Sequence, residues 1–141
     1  MQGTIIMVSA SLHEKAKLEM DNLNSDKYFE QSKTFANTQL ANQLFISDLS
    51  RRCVAHCLPV TANCAELVQS RTGLSDWMDR VTGREAAHPV ITLASMTGIT
   101  GHILSGGRMT RCVEMQGAGQ AARLWGLSAH FISLRLEDLI V

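Results

Sequence analysis

Residues 37–83, NTQLANQLFISDLSRRCVAHCLPVTANCAELVQSRTGLSDWMDRVTG, decide how the chain is read. In their first part Leu40, Ala41, Leu44, Phe45, Asp48 and Leu49, with Ala36 just before them, recur at close to the ~3.6 residues of a helical turn. Ile46 widens the stripe. A helix starting at Ser25 or Asp26 and running for some thirty residues (~30, at the usual helical rise) with so wide an apolar face suits a dimer interface or a bundle core. A core helix within a monomer is the alternative. Leu40, Ala41, Leu44, Phe45 and Asp48 are therefore the candidate oligomer-interface residues.

Leu58-Pro59 ends this helix, because the residue before proline is pushed out of the α region. Thr61 or Asn63 is placed to cap a second helix carrying Ala65, Leu67 and Val68 and stopping at Thr72-Gly73. Ser75 then caps a short third one, 76–82, with Trp77, Met78 and Val81 inward. Two short helices about a glycine turn have the outline of a helix-turn-helix. Asp76 and Asp79 would repel phosphates, so a DNA face, if present, lies elsewhere.

Working outward, Ile5, Ile6 and Val8 favour a short strand or an ordered tail at the start of the chain. Ser11 with Glu14 forms a capping-box pattern for a helix through Ala16, Glu19 and Leu23. Arg84 to His88 reads as a polar loop, and Pro89 opens either a weak helix or a strand pair over 89–104. Ser105-Gly106-Gly107-Arg108-Met109-Thr110-Arg111 is a glycine turn flanked by two exposed arginines. From Gln120 to Leu139, Ala121, Leu124, Trp125, Ser128, Phe131, Ile132 and Leu136 mark an amphipathic helix. The expected architecture is all-α: a single-domain helical bundle, with an N-terminal extension over 1–25 and an oligomerisation and DNA-contact region over 26–141.

At 141 residues and 45% hydrophobic the chain is long enough for one sizeable core, and its formal charge is zero. The charge is unevenly placed: through Ser50 four lysines face six acidic residues, and beyond it nine arginines face seven. Four cysteines, Cys53, Cys57, Cys64 and Cys112, are too few for a disulfide-stapled secreted domain, and no targeting segment or membrane span is legible, so a cytoplasmic location is expected. Cys53, His56 and Cys57 lack the short turn of a zinc knuckle, so no metal is expected and the thiols read as buried and inert. His56, next to Cys57, points about 100° away around a helix and is no base for it. The glycines at 98, 101, 106 and 107 fit neither a P-loop nor a dinucleotide fingerprint. No enzyme and no cofactor are expected.

The stretch Leu40-Ala41-Asn42-Gln43-Leu44-Phe45-Ile46-Ser47-Asp48 resembles the helix of FlhD, the smaller subunit of the bacterial flagellar master regulator. Thr72-Gly73-Leu74-Ser75-Asp76-Trp77-Met78-Asp79-Arg80-Val81 is similar to that family's following segment. The chain is longer than the family and its glycine turns do not align with it. The resemblance implies an all-α transcriptional activator subunit, dimerising through its long helices and joining a zinc-binding FlhC-like partner to bind promoter DNA and recruit RNA polymerase. A relative carried on a plasmid or integrative element is included. It maps DNA contact to Gly106-Gly107-Arg108, with Arg111 close by; Arg84 is a further candidate DNA-contact residue. The rival expectation is a small helical adaptor, chaperone or inhibitor that binds protein and no DNA.

Overall fold

The computed structural model describes residues 3–11, 16–68, 81–112 and 118–134, and it is mixed α/β rather than all-α. A four-stranded sheet is built in chain order from β1 (Gly3–Ala10), β2 (Val60–Leu67), β3 (His102–Ser105) and β4 (Arg108–Arg111). The first three strands are parallel and β4 returns antiparallel. Parallel neighbours need long crossovers, and these supply the helices. α1 (Gln31–Ala55) joins β1 to β2; α2 (Gly83–Ala86) and α3 (His88–Ser95) lie between β2 and β3; α4 (Ala118–Phe131) follows the sheet.

Strand alternation sorts the core into two layers. Ala62 and Cys64 of β2 pack with Ile46 of α1, Ile103 and Cys112, and Met7 of β1 joins them. The intervening Ala65 packs instead with Leu93 of α3 and Leu104, along with Ile6 and Leu67. α1 and α3 therefore cover opposite faces. The outer side of α1 is buried by α4 through Leu40, Leu44, Ala121 and Leu124.

The long helix is present but starts at Gln31 rather than at Ser25 or Asp26, and it ends by a mechanism the sequence hides. Cys57 adopts a left-handed φ of 52°, which lets its N–H bond the Val54 carbonyl at 3.1 Å and the Leu58 N–H bond the Cys53 carbonyl at 2.9 Å. Those two bonds make a Schellman motif. Cys53 and Cys57 are thus not on one continuous helix, since α1 stops at Ala55.

The helix expected after Leu58-Pro59 is the strand β2, and this overturns the all-α architecture and the helix-turn-helix-like pair together. Thr61 and Asn63 are not caps. Thr61 lies within the ladder, and the Asn63 amide donates to the Ile99 carbonyl at 2.7 Å while its oxygen accepts from the His102 N–H at 3.1 Å. The third helix, 76–82, lies outside the described residues apart from its end, as does Glu14 of the capping box at Ser11; 16–30 carries no helix. A capping box does occur at Thr82, whose side chain accepts from the Glu85 N–H and whose own N–H donates to the Glu85 carboxylate at 2.8 Å. Residues 89–104 divide between the two expectations, with Pro89 in the first turn of α3 and β3 beginning at His102.

Candidate functional site at the carboxyl ends of the strands

In an open parallel sheet the ligand crevice lies beyond the carboxyl ends of the strands. Here that region holds a buried polar network. Ser9, near the end of β1, is 2% exposed and donates its hydroxyl to the Gln39 carbonyl of α1 at 3.0 Å. One turn along α1, the Gln43 amide donates to Ser9 Oγ at 3.3 Å and to Glu66 Oε1, near the end of β2, at 3.1 Å. Gln43 and Glu66 are buried as well. Just outside, Asn42 donates its amide to the Val8 carbonyl at 3.2 Å.

These contacts define what the network can do. The Ser9 proton is directed to a backbone carbonyl and its oxygen accepts from a neutral amide, so nothing here raises its nucleophilicity. Glu66 is the titratable member, and it is 5% exposed beneath Gln43. General acid–base work needs a titratable group within hydrogen-bond reach of substrate. The arrangement joins β1, α1 and β2 as a satisfied hydrogen-bond bridge.

A cavity of about 300 Å³ lies between 17–30 and the first half of α1, lined among others by Lys17, Glu19, Tyr28, Lys33, Asn37 and Ala41. Asn37 and Ala41 sit about 200° around the helix from Gln39 and Gln43, so the cavity and the buried bridge occupy different sides of α1. Its wall is cross-linked: Tyr28 donates its hydroxyl to the Glu19 carboxylate, Lys33 pairs with Glu30 at 2.6 Å, and the Lys17 N–H donates to Asn37 at 3.1 Å.

The residues singled out from sequence fall elsewhere. Gly106 and Gly107, at φ of 53° and 80°, form the two-residue turn of the β3–β4 hairpin, and Arg108 and Arg111 are exposed at the two ends of β4. Arg84 is exposed on α2, a separate element. Leu40 and Leu44 are buried inside the chain against α4, and Ala41 packs beside them. Phe45 stacks on Trp125 of α4 with centroids 5.1 Å apart. Asp48 accepts from Arg51 at 2.7 Å and Arg52 at 2.6 Å, and Arg52 also lies 4.5 Å over the Trp125 ring. Burial raises the Asp48 carboxyl, but the bonds from Arg52 and Arg51 outweigh it and hold the pKa below its ordinary value.

Cys53, Cys64 and Cys112 are buried and Cys57 is exposed; burial pushes the Cys64 and Cys112 thiols up to about 12. Among the described residues no group of three or more His, Cys, Asp or Glu side chains is placed to hold a metal ion, and no helix is long and apolar enough to cross a membrane. The bridge escaped the sequence reading. The signal for it was a polar residue near the end of each of two apolar segments, Ser9 and Glu66, with Gln43 between Leu40 and Leu44 on the helix.

Fold and site together define an open α/β unit with a buried polar bridge near the carboxyl ends of β1 and β2. The comparisons agree with that class. The chain is 28% identical over 150 residues to human retinol dehydrogenase 14, a match spanning 92% of this chain and 44% of that protein. The crystal structure of an uncharacterized protein from Mycobacterium paratuberculosis shares the fold with a TM-score of 0.77 at 24% identity, covering 94% of this chain and 51% of that one. The chain thus spans about half the length of the proteins it matches. No protein-family profile matches it.

These likenesses, with β2 in place of a helix, overturn the resemblance to FlhD and what it implied. The reading as a DNA-binding activator subunit, its assembly with an FlhC-like partner, promoter DNA and RNA polymerase, and the rival helical adaptor all fall with it. Likeness over part of a dehydrogenase is also at odds with the expectation of no enzyme.

Proposed function

We propose that this chain is one portion of a dehydrogenase-type α/β unit: it supplies the part of the crevice at the ends of β1 and β2, and it needs a second portion to bind a dinucleotide and move a hydride. The observation that carries this is the Ser9–Gln43–Glu66 bridge. It occupies the place where such folds put their ligand, yet it is closed and fully engaged, with no exposed proton-transfer group in it. The glycine-rich first turn that cradles a pyrophosphate has no counterpart here, because β1 runs into Ser9-Ala10-Ser11. Similarity to human retinol dehydrogenase 14 supports an alcohol or carbonyl compound as the substrate class of the completed unit. The four free cysteines favour a reducing compartment such as the cytoplasm.

The test is an assay of the purified chain with NADH or NADPH and retinaldehyde, read by cofactor absorbance and fluorescence. The expected outcome is neither turnover nor cofactor binding by the chain alone. Sustained, protein-dependent oxidation of the cofactor would overturn the reading.

A further inference from the structure

We propose that the cavity between residues 17–30 and α1 is a binding site for a small monocarboxylate, its head held by Lys17, Asn37 and Thr34 and its apolar body by Leu18, Leu23 and Ala41. At about 300 Å³ it stands at the small end of the range for ligand sites, roughly 300–1,000 Å³. A body of a few carbons is what it can enclose. The cavity lies on the side of α1 away from the Ser9–Gln43–Glu66 bridge and owes nothing to the dehydrogenase reading.

Both walls are held in place by the chain itself. Thr34, Asn37, Thr38 and Ala41 follow one another at i, i+3, i+4 and i+7, so a single stripe of α1 forms one wall. The other is a loop closed by Asn22. Its side-chain oxygen accepts from the Lys27 N–H at 3.0 Å and its amide donates to the Tyr28 carbonyl at 3.2 Å. Ser25, at a left-handed φ of 59°, donates its N–H to the Asn22 carbonyl at 3.0 Å and turns the loop back. Leu18, Leu23 and Ala41 form the floor, since they also pack against the buried cluster of Leu40, Leu44, Ala121 and Leu124.

The polar groups select the charge of the ligand. Each acid in the wall is already answered from within it: Glu19 accepts from the Tyr28 hydroxyl, and Glu30 accepts from Lys33 at 2.6 Å and from Ser32 at 3.3 Å. The donors are not. Among the described residues the Lys17 ammonium, the Asn37 amide nitrogen and the Thr34 hydroxyl have no hydrogen-bond or ion-pair partner. The Lys17 N–H donates to the Asn37 side-chain oxygen at 3.1 Å, which keeps those two residues side by side. One ammonium, one amide and one hydroxyl match the two acceptor oxygens and single charge of a carboxylate. A cationic ligand would find only acids that are already engaged, and a doubly charged phosphate would meet Glu19 and Glu30 with one unpaired ammonium to offset them.

The test titrates the full chain with hexanoate and follows the amide shifts of Lys17, Asn37 and Ala41 by nuclear magnetic resonance. Hexanoate should saturate all three at one site with a Kd of about 1 mM or tighter. Acetate lacks the body, hexanol lacks the charge, and hexylamine and hexyl phosphate carry the wrong one; each should bind about tenfold more weakly or less. Lys17 is exposed, so Lys17→Met removes the ammonium without disturbing the core, and it should weaken hexanoate by about tenfold while leaving hexanol unchanged. Any of the four other probes binding as tightly as hexanoate, full hexanoate affinity in the Lys17→Met variant, or no saturable shift in the parent overturns the proposal. No arm contains a dinucleotide, so failure here and failure of the dehydrogenase reading are told apart.

Discussion

At one border of the sheet β4 is four residues long, closes a tight glycine hairpin and carries an exposed arginine at each end; at the other β1 is eight residues long and wholly uncharged. The first border has the devices that stop a sheet from growing, and the second has none of them. β1 carries Ile5, Ile6 and Val8, whereas β4 carries one β-branched residue, Thr110, between its arginines. What separates them is therefore which way the sheet is built to extend.

The largest expected effect comes from breaking the guarded border. Gly106 and Gly107 hold left-handed φ values that a β-branched residue adopts only under strain. Replacing both with valine should cost about 1 to 3 kcal/mol per position, read as a lowered denaturant midpoint. Nothing lies within 4 Å of a Cβ built at either glycine, so the cost is conformational and not a clash. An unchanged midpoint would mean that the hairpin adds nothing to the fold.

The core beneath that border makes a second prediction through pH. Folding raises the Cys64 and Cys112 thiols from 9.0 to about 12, so the folded state holds their protons more tightly than the unfolded chain. Their contribution is fully present below the ordinary value of 9.0 and is lost as pH rises toward 12. By roughly pH 10.5 this amounts to up to about 2 kcal/mol per thiol, at about 1.36 kcal/mol per unit. Alkaline denaturation compared with a Cys64→Ala, Cys112→Ala variant isolates the effect, and parallel stability curves would refute it.

The two borders also differ in how legible they were. Gly106-Gly107 between flanking arginines announces a turn in any context, and Ile5-Ile6-Met7-Val8 announces extended structure. β2 between them carries the sequence signals of a helix. Its face toward α1 carries Ala62 and Cys64 and its other face Ala65, so burial on both sides removes the alternation that marks a half-exposed strand. Thr61 and Asn63 then mimicked caps, although Asn63 spends its amide on residues 99 and 102. The Ser9–Gln43–Glu66 bridge was illegible for another reason: its members lie 34 and 23 positions apart, and only the pairing of β1 with β2 brings them together. The helix pattern that suggested FlhD was real, but a stripe such as Leu40, Leu44 and Phe45 fits any helix packed between a sheet and a second helix.

That bridge supplies the third prediction, on the β1 side. Gln43→Leu keeps the volume but removes the amide that joins Ser9 to Glu66. The cost should be about 1 to 3 kcal/mol, the range for depriving buried polar groups of a partner. It should also quicken exchange at the Met7 and Ser9 amides, which face β2, relative to those on β3. Equal slowing or quickening on all strands would show that the bridge does not hold β1 in place.

The smallest effect should come from Asn42, and it separates the two borders most cleanly. Its amide donates to the Val8 carbonyl at 3.2 Å on the exposed side of the strand, and among the described residues it is the nearest thing β1 has to an edge cover. Asn42→Ala frees that carbonyl where water can replace the lost donor, so stability should fall by no more than about 0.5 to 1 kcal/mol. The consequence for association is the larger one, because an outward acceptor is now available to an incoming strand. The variant should therefore self-associate or bind an added strand more tightly than the parent while unfolding at nearly the same denaturant concentration. The matching change on the guarded side, Arg108→Ala, should leave association unchanged, since the hairpin still ends the sheet there. Light scattering across a concentration series of both variants measures the contrast, and equal self-association in the two would remove the distinction between the edges.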